Sequence, residues 1–333
     1  MRPLAVVIMA AGKGTRMKSD AAKVLHEICG KPLIYFPVRL AVQMRAHEIV
    51  VVVGHQADAV TAAVRAEFPR ARLEFATQKT QEGTAHAVLQ ARPALAGFAG
   101  DVLILSGDVP LLPLETLRAM RRRHAQAHAA LTAMGAVLDD ATPYGRWVRG
   151  ADGRLLRVVE QKDASEEEKK IREMNAGVYL ADADFLWRAL ARIDKNNAQR
   201  EMYLTDAIAK TNELAGVVAD YLMTQPQLAL GVNSRVDLAE TARTIRLALA
   251  EEAMSGGVTI VDPQTTYLDV EARVGADTVI EPGVSLLGKT RVGRGCRVGQ
   301  GARLENVQVG DGAIVGPYVV ISDTRVRAGE DLW

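Results

Sequence analysis

A glycine-rich turn that could bind phosphate follows the first apolar segment of the chain. It reads A-A-G-K-G-T-R-M over residues 10–17. Small residues let a backbone approach an anion, whose oxygens its N–H groups can bind. Lys13, Arg16 and the nearby Lys23 add positive charge. The turn is neither a dinucleotide fingerprint nor a Walker A loop, because Met17 replaces the third glycine and a glycine follows the lysine. The pattern indicates a phosphate site or, alternatively, only a tight connection between strand and helix.

A carboxylate follows another apolar run. Residues 102–105 are apolar throughout, and Asp108 comes three residues later. Open α/β sheets place their ligands beyond the carboxyl ends of strands. Mg²⁺ binds through one or two carboxylates together with substrate phosphates and water. Asp108 is therefore a candidate metal ligand, with a turn or helix cap as the alternative.

Composition excludes several classes of protein. The chain has 41 Lys plus Arg against 40 Asp plus Glu, so no overall field favours nucleic acid or an anionic membrane. Cys29 and Cys296 are far apart and form neither a disulfide framework nor a metal motif. No apolar run approaches the roughly 20 residues of a membrane span. We expect a cytoplasmic protein with free thiols. None of the six histidines is assigned to catalysis, and His86 is expected to make structural hydrogen bonds.

The turn belongs to a longer signature, which carries a resemblance to a known family. Residues 7–26, V-I-M-A-A-G-K-G-T-R-M-K-S-D-A-A-K-V-L-H, resemble the N-acetylglucosamine-1-phosphate uridylyltransferase part of a bifunctional bacterial acetyltransferase/uridylyltransferase. Further matches follow in chain order: Q-K-T-Q-E-G-T-A-H-A from Gln78, S-G-D-V-P-L from Ser106, Y-G-R from Tyr144, V-E-Q-K-D from Val159, N-A-G-V-Y from Asn175 and G-V-N-S-R from Gly231.

The resemblance implies a role for each matching position. Arg16 and Lys23 would be catalytic, and Asp108 with Asn233 would hold Mg²⁺. The nucleotide would contact Ala10, Ala11, Gly12, Gly14, Lys23, Gln78, Gly83 and Thr84. The sugar would contact Gly145, Glu160, Asn175, Tyr203 and Thr205. An amide such as Gln78 offers both a donor and an acceptor to a pyrimidine edge.

The implied reaction is Mg²⁺-dependent uridylyl transfer from UTP to N-acetylglucosamine 1-phosphate, giving UDP-N-acetylglucosamine and pyrophosphate for cell-wall precursor synthesis. The nearest competing function is a nucleotidyltransferase for another sugar, such as glucose 1-phosphate with UTP or dTTP. A hexapeptide-repeat acyltransferase and a non-catalytic scaffold compete from different classes of protein. Glu82 departs from the family pattern, and its charge near the base pocket puts nucleotide specificity in doubt.

The elements that must position these residues alternate up to about residue 235. Short apolar runs at 4–9, 49–53 and 102–105 are typical of strands buried on both faces, and amphipathic segments at 34–44 and 57–68 are typical of helices. This alternation predicts an α/β domain with a mostly parallel sheet. The resemblance implies that it is a Rossmann-like nucleotidyltransferase domain.

The remaining chain changes its period. Residues 237–254 repeat apolar side chains at helical spacing, and from Leu268 an apolar residue recurs every six positions, with five-residue steps to Val309 and Val326. Such hexads predict a short left-handed parallel β-helix. The expected organisation is a nucleotidyltransferase domain at 1–236, a linking helix at 237–257 and a truncated β-helix at 258–333. We expect a homotrimer through the β-helix. We expect no acetyltransferase activity, since residues 269–333 contain no histidine.

Overall fold

The chain divides into two units. A computed structural model describes residues 2–333, so residue 1, where the predicted first domain begins, lies outside the described part. The first unit runs to His26 and resumes over Leu33–Asn233; the second comprises Glu27–Pro32 and Ser234–Trp333. The segment 27–32 thus groups with the second unit, although it lies inside the predicted 1–236 domain.

The strands that precede residue 234 are short and apolar. In chain order they are β1 (Leu4–Ala10), β2 (Glu27–Ile28), β3 (Lys31–Pro32), β4 (Glu48–Val53), β5 (Glu74–Thr77), β6 (Asp101–Ser106), β7 (Leu131–Val137), β8 (Arg146–Arg149), β9 (Leu155–Val159), β10 (Glu173–Asp182) and β11 (Val218–Met223). β2 and β3 form a separate antiparallel hairpin. The others form one nine-stranded sheet in the order β11-β7-β10-β6-β1-β4-β5, with β8 paired to β10 and β9 paired to β8.

The helices of the chain are α1 (Tyr35–Gln43), α2 (Ala57–Glu67), α3 (Thr84–Gln90), α4 (Leu114–Gln126), α5 (Ala183–Leu190), α6 (Ala207–Glu213) and α7 (Arg235–Ser255). Short 3₁₀ turns occupy Thr15–Met17, Lys23–Leu25, Pro93–Leu95, Glu168–Lys170, Leu204–Asp206 and Pro226–Ala229. Ser234 caps α7 through a reciprocal pair of hydrogen bonds with Asp237. Within residues 2–333, none of the helices combines the length and the apolar character that a membrane crossing needs.

The main sheet is covered on both faces. Along the central strand β1, Val6 and Ile8 pack into one buried cluster while Ala5 and Val7 pack into another. Successive side chains of a strand point to opposite faces, so both clusters require nearly every residue of β1 to be apolar. Along the main path only β10 runs antiparallel to its neighbours. The α/β prediction is confirmed.

The second unit confirms the short left-handed β-helix. Its strands are β12 (Thr259–Ile260), β13 (Tyr267–Leu268), β14 (Arg273–Val274), β15 (Val279–Ile280), β16 (Ser285–Leu287), β17 (Arg291–Val292), β18 (Arg297–Val298), β19 (Arg303–Glu305), β20 (Gln308–Val309), β21 (Ile314–Val315), β22 (Val320–Ser322), β23 (Arg325–Val326) and β24 (Asp331–Leu332). They form three parallel sheets whose neighbouring strands come from successive coils. The hexad residues fill the core, and the five-residue steps turn at Asn306 and Asp323, both with positive φ.

Gly135 on β7 provides a test of core packing. A Cβ atom there would lie 2.4 Å from Cζ2 of Trp147, a ring that is 1% exposed. Because a full core resists added volume, we expect Gly135→Ala to lower the free energy of unfolding by about 1–3 kcal/mol in urea titrations. Removing the outer ring in Trp147→Phe makes room, so the same substitution should cost less in that background. An equal cost in both backgrounds would contradict this packing.

Candidate active site

The connections that carry the glycine-rich turn and Asp108 leave the sheet at the same edge. Met9 of β1 lies opposite Ser106 of the parallel strand β6. The backbone N–H of Gly107 donates to the carbonyl of Met9 over 2.9 Å. The connections that follow the two strands therefore begin side by side, and they carry the glycine-rich turn and Asp108.

Two glycines of the turn have different structural roles. A Cβ atom on Gly12 would meet nothing within 4 Å, whereas one on Gly14 would lie 2.4 Å from Cβ of Lys23. Gly14 also has a φ of 64°, a left-handed conformation that suits glycine. Gly14 leaves room for the stem of Lys23, and its expected contact with the nucleotide stays a prediction. Gly12 keeps open space beside the backbone.

Opposite charges from distant segments meet beyond β6. Nζ of Lys23 is in close contact with Oδ2 of Asp108, and both side chains are largely buried. Nζ also lies 3.3 Å from Oδ1 of Asn233, which accepts a second hydrogen bond from Nη2 of Arg16 over 2.8 Å. The structure therefore brings all four predicted catalytic and metal-binding residues into one cluster.

The oxygens of this cluster fit a magnesium ion. A carboxylate and an amide oxygen, with further positions left to phosphate and water, form a typical Mg²⁺ donor set. The Lys23 ammonium already contacts both Asp108 and Asn233, so their oxygens lie close enough to share one cation. Among residues 2–333, no group of three or more His, Cys, Asp and Glu residues could hold a metal.

A first cavity of about 280 Å³ opens beside the turn. It is lined by every predicted nucleotide-binding residue except Gly14, namely Ala10, Ala11, Gly12, Lys23, Gln78, Gly83 and Thr84. Within its wall, the amide nitrogen of Gln78 is 3.1 Å from the carbonyl oxygen of Gly83 and 3.1 Å from Nδ1 of His86. These contacts engage the nitrogen of the Gln78 amide, which leaves its oxygen to accept from a ligand.

His86 acts as the structural hydrogen-bonder that its sequence context predicts. Its second ring nitrogen lies 3.0 Å from the amide nitrogen of Gln90. Gln81, which the sequence did not single out, donates from its side chain to the carbonyl of Ala11 over 2.8 Å and lines the same cavity. His86 contacts the loop that follows β5 through Gln78, and Gln81 joins the same loop to Ala11 beside the first cavity.

The wall of the first cavity is interlocked with a distant segment. Gly83 has a φ of 113°, and a Cβ there would lie 2.4 Å from the carbonyl oxygen of Met202. The N–H of Met202 donates to the carbonyl of Glu82 over 2.7 Å, and the hydroxyl of Thr84 accepts from the N–H of Leu204 over 2.9 Å. Residues 82–84 and 202–204 thus form one continuous wall.

The charge of Glu82 is neutralised locally. Its carboxylate contacts Nζ of Lys195 and accepts from the Thr80 hydroxyl over 3.0 Å. The bond from Lys195, with that from Thr80, lowers the pKa of Glu82, so it stays ionised. Glu82 does not line the first cavity. The ion pair with Lys195 balances the charge of Glu82, and the expected effect of Glu82 on nucleotide specificity stays a prediction.

A second cavity of about 680 Å³ adjoins the first. Both cavities share Met9, Thr84, Ser106 and Asp108 as lining residues. The second is also lined by four of the predicted sugar-binding residues, Gly145, Glu160, Asn175 and Tyr203, and by Arg16 and Asn233. Thr205 stands behind this wall, where its hydroxyl donates to Oε1 of Glu160 over 3.0 Å.

An irregularity in β10 sets the direction of Asn175. The pairing register with β7 shifts between Asn175 and Tyr179, and Gly177 has a φ of 71°. Oδ1 of Asn175 accepts from the Tyr179 hydroxyl over 3.0 Å, and its backbone N–H donates to the carbonyl of Gly145 over 2.8 Å. Asn175 therefore lies at a bulge, which is a common way to aim a side chain at a site.

Besides Gln81, two residues that support the site were not predicted from the sequence. The Ser106 hydroxyl donates to Oδ1 of Asp108 over 2.5 Å. Arg146 is 1% exposed and donates to the carbonyl of Tyr144 over 2.5 Å, which fixes the segment before Gly145. Both residues belong to matched motifs, S-G-D and Y-G-R. Their inclusion in those short motifs was the available signal.

Comparisons with known proteins agree with this geometry. The nucleotidyl transferase family model matches residues 5–225. The bifunctional protein GlmU of Anaeromyxobacter dehalogenans is 50% identical over 327 residues, covering 98% of this chain and 67% of the relative. The same-named proteins of Geobacter metallireducens and Brevibacillus brevis are 49% and 45% identical, covering 91% and 98% of this chain and 63% and 70% of their own lengths. The chain spans about two thirds of the length of these relatives.

Glu160 gives the site a pH-dependent effect on stability. Burial raises the pKa of Glu160, against the opposing hydrogen bond from Thr205. When a carboxyl has a higher pKa in the folded chain than in the unfolded chain, the folded protein loses stability as the pH rises from the lower pKa through the higher one. Near neutral pH we therefore expect Glu160→Gln, which keeps the acceptor oxygen, to unfold at higher urea concentration than the wild type. Below the ordinary glutamate pKa the difference should vanish.

Thr205→Val serves as the matched control. It removes the donor that stabilises the ionised Glu160 at nearly constant volume. Its midpoint should therefore fall near neutral pH, opposite to that of Glu160→Gln. A Glu160→Gln variant less stable than the wild type near neutral pH would contradict the direction assigned to this pKa.

Proposed function

This chain belongs to the nucleotidyl transferase family and is a nucleotidyltransferase, and we propose that it transfers a uridylyl group from UTP to N-acetylglucosamine 1-phosphate. The observation that carries the proposal is the meeting of two cavities at Asp108. One has a wall with an amide and close-approach glycines, as a base requires, and the other has carboxylate, amide and hydroxyl groups, as a sugar requires.

The reaction is a direct displacement. An oxygen of the sugar phosphate attacks the α-phosphorus of UTP, the bond from that phosphorus to the bridging oxygen of the β-phosphate breaks, and pyrophosphate leaves. The resulting P–O bond gives UDP-N-acetylglucosamine. Such a reaction depends on alignment and on neutralisation of charge more than on a covalent partner.

The residues of this chain divide that work. Arg16 and Lys23 supply charged donors for phosphate oxygens, and the N–H groups of residues 10–14 complete the phosphate cradle. Asp108 and Asn233 would hold Mg²⁺, which supplies further charge neutralisation at the phosphates when bound. Ser106 orients the carboxylate of Asp108.

Base and sugar selection follow from hydrogen-bond chemistry. The amide oxygen of Gln78 can accept from the N3–H of uracil, whereas the corresponding nitrogen of cytosine has no hydrogen to donate. Glu160 accepts from a sugar hydroxyl while Thr205 holds it in place. Asn175 offers its amide nitrogen, since its oxygen accepts from Tyr179.

Three further properties belong to the proposal. The product would supply cell-wall precursor synthesis, as the likeness to the bifunctional relatives supports. The β-helix would assemble the chain as a homotrimer in the cytoplasm, where its two free cysteines would stay reduced. This chain would lack acetyltransferase activity, because residues 269–333 offer no histidine as a catalytic base.

The direct test is pyrophosphate release across a substrate panel. UTP, CTP and dTTP are each combined with N-acetylglucosamine 1-phosphate, glucosamine 1-phosphate or glucose 1-phosphate, with Mg²⁺ or with a chelator. We expect release only with UTP, N-acetylglucosamine 1-phosphate and Mg²⁺. Preferential use of glucose 1-phosphate or dTTP would replace the proposed substrates. Acetylation of glucosamine 1-phosphate when acetyl-CoA is added would overturn the proposed absence of acetyl transfer.

Removing one side chain that donates hydrogen bonds to phosphate should strongly lower turnover. We expect Arg16→Ala and Lys23→Ala each to lower turnover by about 10²–10³-fold, the usual cost of removing a charge-stabilising donor. Arg72→Ala is the matched control, because Arg72 is exposed and precedes β5, whose amino end lies at the opposite edge of the sheet. Near-normal turnover in a folded Arg16 variant would refute its assignment.

A further inference from the structure

Every oxygen that would face a metal is already engaged by a donor of this chain. Oδ1 of Asp108 accepts from Ser106, and Oδ2 contacts Nζ of Lys23. Oδ1 of Asn233 accepts from Arg16 over 2.8 Å and lies 3.3 Å from Nζ of Lys23. Two positive side chains therefore occupy the ligands that a divalent cation would need.

Lys23 contacts both metal-ligand side chains at once. Its side chain is 16% exposed and that of Asp108 is 15% exposed, so water screens their attraction less than at a surface. Removing the partner of a buried charge is costly. In the absence of metal, separating the Asp108 carboxylate from this ammonium group is therefore unfavourable.

We propose that Lys23 is an internal counter-cation that excludes the metal until a nucleotide arrives. The nucleotide phosphates would draw the Lys23 ammonium from Asp108, and the carboxylate oxygen so released would accept the metal. Metal binding to the free protein is consequently weak and becomes strong only with nucleotide. This inference rests on the proposed function, because it takes Asp108 and Asn233 as the metal ligands.

The fold accommodates such a movement of Lys23. Its stem packs against Gly14, where no Cβ obstructs it, and Lys23 itself lines the first cavity. The same cavity is lined by Ala11 and Gly12, beside which the phosphates would lie. The ammonium therefore has a second set of anionic partners to reach from the same backbone position.

The test measures Mn²⁺ binding to the free protein, without nucleotide or sugar phosphate, by the loss of the free-ion electron paramagnetic resonance signal. We expect Lys23→Ala and Lys23→Gln to bind Mn²⁺ about tenfold or more tightly than the wild type, since a positive charge on the ligand oxygens is gone. Lys13→Ala removes an exposed lysine from the same turn and should change affinity by less than about threefold, because water and salt screen that charge.

The double variant Lys23→Ala with Asp108→Asn locates the effect. It should lose the gain in affinity, since the ion would no longer find its carboxylate. As a second readout, Mg²⁺ should raise the unfolding temperature of Lys23→Ala more than that of the wild type, which also reports that the variant is folded.

Two results would overturn the inference: unchanged or weaker Mn²⁺ binding in both Lys23 variants, or a gain that persists without the carboxylate of Asp108. The outcome is separable from that of the substrate panel, because no reaction occurs in the binding assay. If the Lys23 variants bind Mn²⁺ more tightly but the wild type forms no sugar nucleotide, the counter-cation role stands and the proposed reaction is refuted. If the wild type forms the sugar nucleotide but the Lys23 variants bind Mn²⁺ no more tightly, only the counter-cation role is refuted.

Discussion

The contact between Lys23 and Asp108 is the interaction on which the site depends. It joins the connection after β1 to the connection after β6, across 85 positions of sequence. Gly14 makes room for the lysine, and Ser106 orients the carboxylate. The N–H of Val232 donates to the carbonyl of Asp108 over 2.8 Å, which brings Asn233 to the same place. Burial of these charged and polar groups would be costly if they had no partners, and here each one contacts another.

A second set of contacts, around Glu82 and Lys195, shapes the first and second cavities. They lie 113 positions apart and exposed, so their ion pair alone adds little stability. The backbone bonds beside them contribute more, because Met202 exchanges hydrogen bonds with Glu82 and Ala85. The wall of the first cavity therefore rests on the segment that leads to Tyr203 of the second cavity. Rigid elements and neighbouring loops position the site together.

The fold was largely predictable from sequence, while the contacts within the site were predictable only in part. Continuous apolar runs and strict hexads specify strands and coils because burial imposes those periods. Asp108 could be placed at the sheet edge for the same reason. The sequence could not predict the close approach of Gly14 to Lys23, the ion pair of Glu82 with Lys195 or the grouping of residues 27–32 with the second unit. Each depends on contacts between distant segments, which the local periodicity of apolar residues does not predict.

The shared wall of residues 82–84 and 202–204 constrains how substrate range can change. Any side chain placed at Gly83 of the first cavity must displace the backbone of Met202, which precedes Tyr203 of the second cavity. A change in the shape of the first cavity at this position therefore also affects the second cavity. We therefore expect residues 82–84 and 202–204 to change together in relatives with a different substrate range. Replacing only one of these segments would disrupt the hydrogen bonds between them.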